Sequence, residues 1–234
     1  MKFISIGTLK KMGRQKKFVI PCLFTLLNAC FGFFALIKIV EYDFMGAAYC
    51  IIGAVVMDIL DGRVARALHS TSAIGMELDS LADAVSFCVA PALLLYSLYC
   101  ADMQMIGALA LSFYMCAGLS RLARFNVSEP KFFFTGLPTP VAAFFIAQCV
   151  CQESWLLYVG YMPSHSIIVG LIIALGVLMV SPVRYPSFKK LTYVSLCSLL
   201  CGFSFLLMIS WWYQLPFFLL CCLFYIVCGG IIVF

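Results

Sequence analysis

Four aspartates fall within one stretch, Asp58 to Asp83, which reads DILDGRVARALHSTSAIGMELDSLAD. Its flanks, residues 44–57 and 84–99, are apolar enough to lie in a bilayer. An ionisable side chain there costs free energy, and by default it marks a functional site. Asp58, Asp61 and Ala65 stand at i, i+3 and i+7, one face of a helix. Gly75, Asp79 and Asp83 stand at i, i+4 and i+8, one face of the next. Between them His69-Ser70-Thr71-Ser72 breaks the apolar run and supplies N-cap candidates for the second helix. Fold the two helices as an antiparallel hairpin about that break, and residues whose numbers sum to about 140 share a depth. Asp58 then lies level with Asp83, Asp61 with Asp79, and Arg66 with Gly75. The acids form a cluster about one to two turns below the hairpin tip.

Such charges cannot stay unpaired in an apolar setting. Two divalent cations would neutralise them, and oxygen-only ligation suits hard ions such as Mg²⁺ or Mn²⁺ rather than zinc. A paired-metal site clamps phosphoryl oxygens during in-line displacement. Gly62, Ala65 and Gly75 have little or no side chain, so a bulky ligand can approach the backbone. Arg66 is placed to hold phosphate by forked hydrogen bonds. These residue types point to metal-assisted phosphoryl transfer at a membrane surface.

The elements that must carry this hairpin follow from composition. Of 234 residues, 65% are hydrophobic and 11% charged, which places the chain among polytopic membrane proteins and leaves no room for a soluble domain. The expected fold is an all-α transmembrane helical bundle with spans near 18–40, 44–69, 73–99, 104–123, 138–152, 166–182, 191–209 and 215–234. Gln148, Gln152 and Glu153 shorten the fifth, so a count of six or seven spans also fits. Residues 1–17, rich in Lys and Arg, read as a basic surface segment on anionic headgroups. No small-residue cleavage site closes the apolar run that follows, which extends to about residue 40, so a retained first span is expected rather than a signal peptide. Basic residues collect before the first span, in Arg63/Arg66, in Arg121/Arg124/Lys131 and in Arg184/Lys189/Lys190. The opposite loops hold Glu41, Asp43, Asp102 and Glu153. Only Lys38 of fifteen basic residues falls on the acidic side, so both termini, and the open end of the aspartate cluster between spans 1–4, face the cytosol. Trp211, Trp212 and Tyr213 read as an outer aromatic belt.

The thirteen cysteines scatter through apolar segments and lack metal-knuckle partners, so they read as small packing residues. Basic residues come a few per loop with no aromatic-interleaved surface, which argues against nucleic-acid binding. A transporter or cation channel would also use intramembrane acids. It has no use for the Gly62, Ala65, Arg66 and Gly75 pattern.

The whole spacing, Asp58-x2-Asp61-Gly62-x2-Ala65-Arg66-x8-Gly75-x3-Asp79-x3-Asp83, resembles the complete signature of the CDP-alcohol phosphotransferase family. Further segments resemble its bacterial phosphatidylserine-forming members: Arg121-Leu-Ala-Arg124-Phe-Asn126, Gly136-Leu-Pro138-Thr-Pro140 and Tyr185-Pro186-Ser-Phe188-Lys189. Pro21-Cys22-Leu-Phe-Thr25 resembles the family's Pro-Asn-x-x-Thr opening, with Cys22 in place of Asn. The likeness covers roughly residues 18–190, a membrane core followed by a helical pair over 191–234. It implies a homodimer in the bacterial inner membrane that moves a phosphatidyl group from CDP-diacylglycerol to L-serine. The same chemistry with glycerol 3-phosphate, an inositol or choline is the rival within the family. By that resemblance Asp58, Asp61 and Asp79 are the main metal ligands. Asp83 is shared with the acceptor as general base. Asp61, Gly62, Ala65, Arg66 and Gly75 meet the nucleotide. Thr25 and Asn28 share a helix face and would hydrogen-bond either the nucleotide or a neighbouring helix. Arg121 and Arg124, one turn apart, with Arg184, are the cationic candidates for the serine carboxylate.

Overall fold

The computed structural model describes residues 6–68, 72–100, 104–127, 133–151, 165–182 and 184–186. The last two expected spans, the Trp211-Trp212-Tyr213 belt and Lys189 lie outside them.

The apolar run after residue 18 forms one helix, α1 (Ile6–Val40). The sequence suggests a helix start at Pro21; instead Pro21 sits inside α1, and residues 6–17 continue the same helix. Lys, Leu, Met and Arg upstream are good helix formers, and membrane helices accommodate an internal proline. α1 turns through Glu41-Tyr42-Asp43 into α2 (Phe44–Ala67). Asp43 Oδ1 accepts the Gly46 N–H at 2.9 Å and so caps α2. Lys38, the one basic residue assigned to this end, donates to Glu41 at 2.9 Å and reaches Asp43 at 3.3 Å. The Gly46 N–H and Lys38 hold the Asp43 carboxyl below its usual range. The exception to the charge pattern is therefore locally neutralised.

Ser72 Oγ accepts the Gly75 N–H at 3.0 Å and starts α3 (Ala73–Asp83), as the break in the apolar pattern predicts. The axis then runs on without a stop: a π-helical turn (Ala84–Val89), α4 (Ala90–Leu95) and a second π turn (Tyr96–Cys100). Pro91 has no N–H to give the carbonyl of Phe87, four residues back. The buried Tyr114 hydroxyl donates to that carbonyl at 3.1 Å instead. Tyr114 lies on α5 (Gln104–Val127), which is followed by α6 (Thr139–Cys151) and α7 (His165–Val180).

Four segments are long and apolar enough to cross a membrane: Pro21–Val40, Phe44–Ala65, Ile74–Cys100 and Met105–Val127. The helices α6 and α7 are shorter and also apolar. The chain is an integral membrane helical bundle. One antiparallel ladder, β1 (Phe133–Thr135) with β2 (Arg184–Pro186), has Phe134 opposite Tyr185 as its central pair.

Two buried clusters hold the bundle. One joins α1 and α2 to α4 and α6 through Ala35, Ala47, Ala48, Ile51, Leu94 and Ala143. The other joins α4, α5, α6 and α7 through Leu95, Tyr114, Ala142, Ile146, Ile172 and Leu175. In lipid, where burying apolar area brings little advantage, small residues such as these alanines allow the close van der Waals approach that drives association. α4 and α6 lie in both clusters and so fix α1–α2 against α5–α7. The helix-to-helix ties of Thr25, Asn28, Arg121 and Asn126 gather at the end opposite the Lys38 corner, around the aspartates.

Candidate active site

Hairpin α2–α3 brings the aspartates together as their spacing requires. Carboxylate oxygens of Asp58, Asp61 and Asp79 lie within 4.8 Å of one another. Asp61 and Asp79 approach to hydrogen-bonding range, and Asp83 is close enough to Asp58 and Asp79 for their charges to interact. Asp61 and Asp83 are buried, at 6% and 7% exposure. One oxygen of Asp79, Oδ1, is buried with no hydrogen-bond partner among the described residues. Three converging acids with an orphaned, desolvated oxygen suit a hard divalent cation.

The first helix supplies the site's inner wall. Thr25 Oγ1 lies 2.9 Å from Asp61 Oδ2 and 3.2 Å from the Pro21 carbonyl. Asn28 Nδ2 donates to Asp83 Oδ1 at 3.0 Å. Each of the two side chains on this helix face meets an acid of the hairpin. Ser86 Oγ donates to the Asn28 carbonyl at 3.0 Å. Gly32 is required beside it, since a Cβ there would strike the Ser86 side chain and come within 2.9 Å of its Cα.

Gly62, Ala65 and Gly75 are partly exposed near the hairpin tip, where a ligand can reach their backbone. Arg66 is placed on the last turn of α2.

Arg121 and Arg124 reach different neighbours. Arg121 is buried at 8% exposure; its Nη1 donates to Thr139 Oγ1 at 3.3 Å, and its charge interacts with that of Asp58. Arg124 is exposed and donates from Nη2 to the carbonyls of Met179 and Val180, at 3.4 and 3.3 Å. Those are C-terminal carbonyls of α7, which lack helical donors and attract a cation. Positions three apart on a helix diverge by about 60°, enough to send the two guanidinium groups to different neighbours. Arg184 is in β2, opposite Thr135.

Several supporting residues lie in the segments singled out by resemblance, but no signal in the sequence reports their partners. Thr139 is fully buried under Arg121. Asn126 accepts from Ser80 Oγ at 2.9 Å and donates to Glu77 at 3.4 Å, tying the end of α5 to α3. Gly136, at φ 80°, sits where a Cβ would strike the Met179 carbonyl, and Leu137 N–H donates to Leu178 O at 3.0 Å. The Gly-Leu-Pro segment thereby seats on the end of α7.

Residues 18–181 match the sequence profile of the family described as CDP-alcohol phosphatidyltransferase. The chain is similar to proteins named CDP-diacylglycerol–serine O-phosphatidyltransferase from several organisms. With that of Helicobacter pylori it shares 37% identity over 176 residues, 74% of each chain. With that of Bacillus subtilis it shares 34% over 177 residues, 73% of this chain and 92% of the relative. With that of Methanocaldococcus jannaschii it shares 35% over 184 residues, 76% and 81%.

Proposed function

This chain belongs to the CDP-alcohol phosphatidyltransferase family, and from that premise we propose that it transfers the phosphatidyl group of CDP-diacylglycerol to L-serine, forming phosphatidylserine and releasing CMP. The observation that carries the reading is the convergence of Asp58, Asp61 and Asp79 beside a buried Asp83. The choice of serine is supported by the relatives' names.

Asp58, Asp61 and Asp79, with Asp83 shared, would hold Mg²⁺ or Mn²⁺, two ions per site, whose charge when bound neutralises phosphoryl oxygens. Asp83 takes the proton of the serine hydroxyl as its oxygen attacks the β-phosphorus. A new oxygen–phosphorus bond forms on one side while the bond to the CMP oxygen breaks on the other, so the electron pair leaves with CMP. Gly62, Ala65 and Gly75 leave room for the nucleotide, Asp61 borders it, and Arg66 meets its phosphates. Thr25 and Asn28 support the acids from α1.

The serine carboxylate is assigned to Arg121, the one buried guanidinium among the described side chains. Arg124 is assigned to the end of α7 instead, and Arg184, in β2, is the further cationic candidate. A phosphorylated acceptor asks for a denser set of cations than Arg121 offers, which favours serine over glycerol 3-phosphate. The positive-inside pattern supports cytosolic termini and a site open to the cytosol. A bacterial inner-membrane homodimer is the assembly we propose from the family likeness.

The test is purified protein with CDP-diacylglycerol and radiolabelled serine, glycerol 3-phosphate, inositol and choline in parallel. Label should enter lipid from serine alone, with equimolar CMP. Incorporation from another alcohol with none from serine would reassign the acceptor.

A further inference from the structure

Asn28 is fully buried, and its amide is only half used: Nδ2 donates to Asp83 Oδ1, while Oδ1 has no hydrogen-bond partner among the described residues. A buried carbonyl oxygen without a donor costs about 1–3 kcal/mol. A residue kept for packing alone would not carry that cost, because leucine has nearly the same branched shape without it.

The surroundings also restrict where this amide can go. Ser86 Oγ holds the Asn28 backbone carbonyl, and Gly32, one turn further on, lets α1 seat against the turn that follows Asp83. That turn, Ala84–Val89, is π-helical, a local departure frequently found at functional sites. Asn28 and Asp83 are therefore held from both sides, backbone and side chain.

We infer that Asn28 is a positioning residue: its amide fixes one oxygen of Asp83, so that the other is turned toward the acceptor hydroxyl. The inference rests on the proposed role of Asp83 in phosphatidyl transfer. It differs from a nucleotide contact, because the bond the amide makes is to a hairpin carboxylate; a nucleotide reached through the second amide hydrogen or Oδ1 would show as a loss in KM for CDP-diacylglycerol instead of kcat. It also differs from a packing role, which leucine would fill as well or better.

Asn28→Leu separates these. In detergent, the purified variant should keep its thermal midpoint within a few degrees and its KM for CDP-diacylglycerol within about threefold. Its kcat with saturating serine and Mg²⁺ should fall by about 10²-fold, the lower range for a general base. Asn28→Gln, which keeps the amide on a longer stem, should recover part of that loss. A kcat within threefold of the parent in folded Asn28→Leu overturns the inference. So does a loss confined to the KM for CDP-diacylglycerol, which would make Asn28 a nucleotide contact. If Asn28→Leu does not insert, Asn28→Gln and Asn28→Ala decide: equal activity in the two removes the amide from the mechanism. The parent protein is run alongside, and absence of serine-dependent CMP release there points to the functional reading rather than to Asn28.

Discussion

Arg121 Nη1 donates to the hydroxyl of the fully buried Thr139 at 3.3 Å, joining the end of α5 to the first residue of α6 beside Asp58. A guanidinium matches a carboxylate as a planar fork, which a lysine does not. Arg121→Lys should therefore raise the KM for serine at least about tenfold, the cost of one charge-assisted hydrogen bond, with the KM for CDP-diacylglycerol within about twofold. Steady-state kinetics on correctly inserted protein checks this; unchanged serine kinetics would remove Arg121 from the acceptor pocket.

Arg124 should behave differently. Its hydrogen bonds to Met179 and Val180 carbonyls close the end of α7, an exposed contribution of about 0.5–1.5 kcal/mol. Arg124→Ala should lower the thermal midpoint by a few degrees while the KM for serine changes less than in Arg121→Lys. An equal or larger rise in that KM would return Arg124 to the pocket beside Arg121.

Metal removal tests the acids as ligands. Three carboxylates within 4.8 Å of one another should bind Mg²⁺ or Mn²⁺ well and Ca²⁺ poorly as a functional substitute, because calcium takes more ligands at longer distances. Chelator should abolish CMP release and either smaller ion restore it. Asp58→Asn and Asp79→Asn should weaken metal binding by calorimetry as well as activity. Full activity in excess chelator would contradict the ligand assignment.

The carbonyl of Phe87 offers a test away from the chemistry. Tyr114→Phe removes its hydroxyl donor at a place where Pro91 supplies none. The buried acceptor should cost about 1–3 kcal/mol, read as a lower thermal midpoint, with kcat per folded molecule little changed. A normal midpoint would mean that the carbonyl is satisfied otherwise.

The aspartate hairpin was legible because helical spacing reports a face directly, and the break at His69–Ser72 reports where the face reverses. The depth matching of Asp61 with Asp79 needed nothing more than helical rise. The first six expected spans each find a helix for the same reason. Partners separated by a loop were not legible: no local pattern joins Arg121 to Thr139 or Asn126 to Ser80. The divergence of Arg121 from Arg124 depends on where α7 ends, which spacing on α5 cannot report. The continuation of α1 through Pro21 reflects the surrounding helix formers overriding one residue's preference. The contacts of Thr25 with Asp61 and of Asn28 with Asp83 depend on α1 lying against the hairpin, which spacing on α1 cannot report.

Asp83→Asn bears most directly on transfer to serine at this cluster. The purified variant and parent are given CDP-diacylglycerol, labelled serine and Mg²⁺, and phosphatidylserine, CMP and CDP-diacylglycerol binding are measured together. The parent should make one phosphatidylserine per CMP, and Asp83→Asn should make neither while binding CDP-diacylglycerol within a few fold, because a base acts mainly in the transition state. Phosphatidylserine formation by Asp83→Asn at near the parent rate, or a loss of CDP-diacylglycerol binding as severe as in Asp79→Asn, would contradict the assignment.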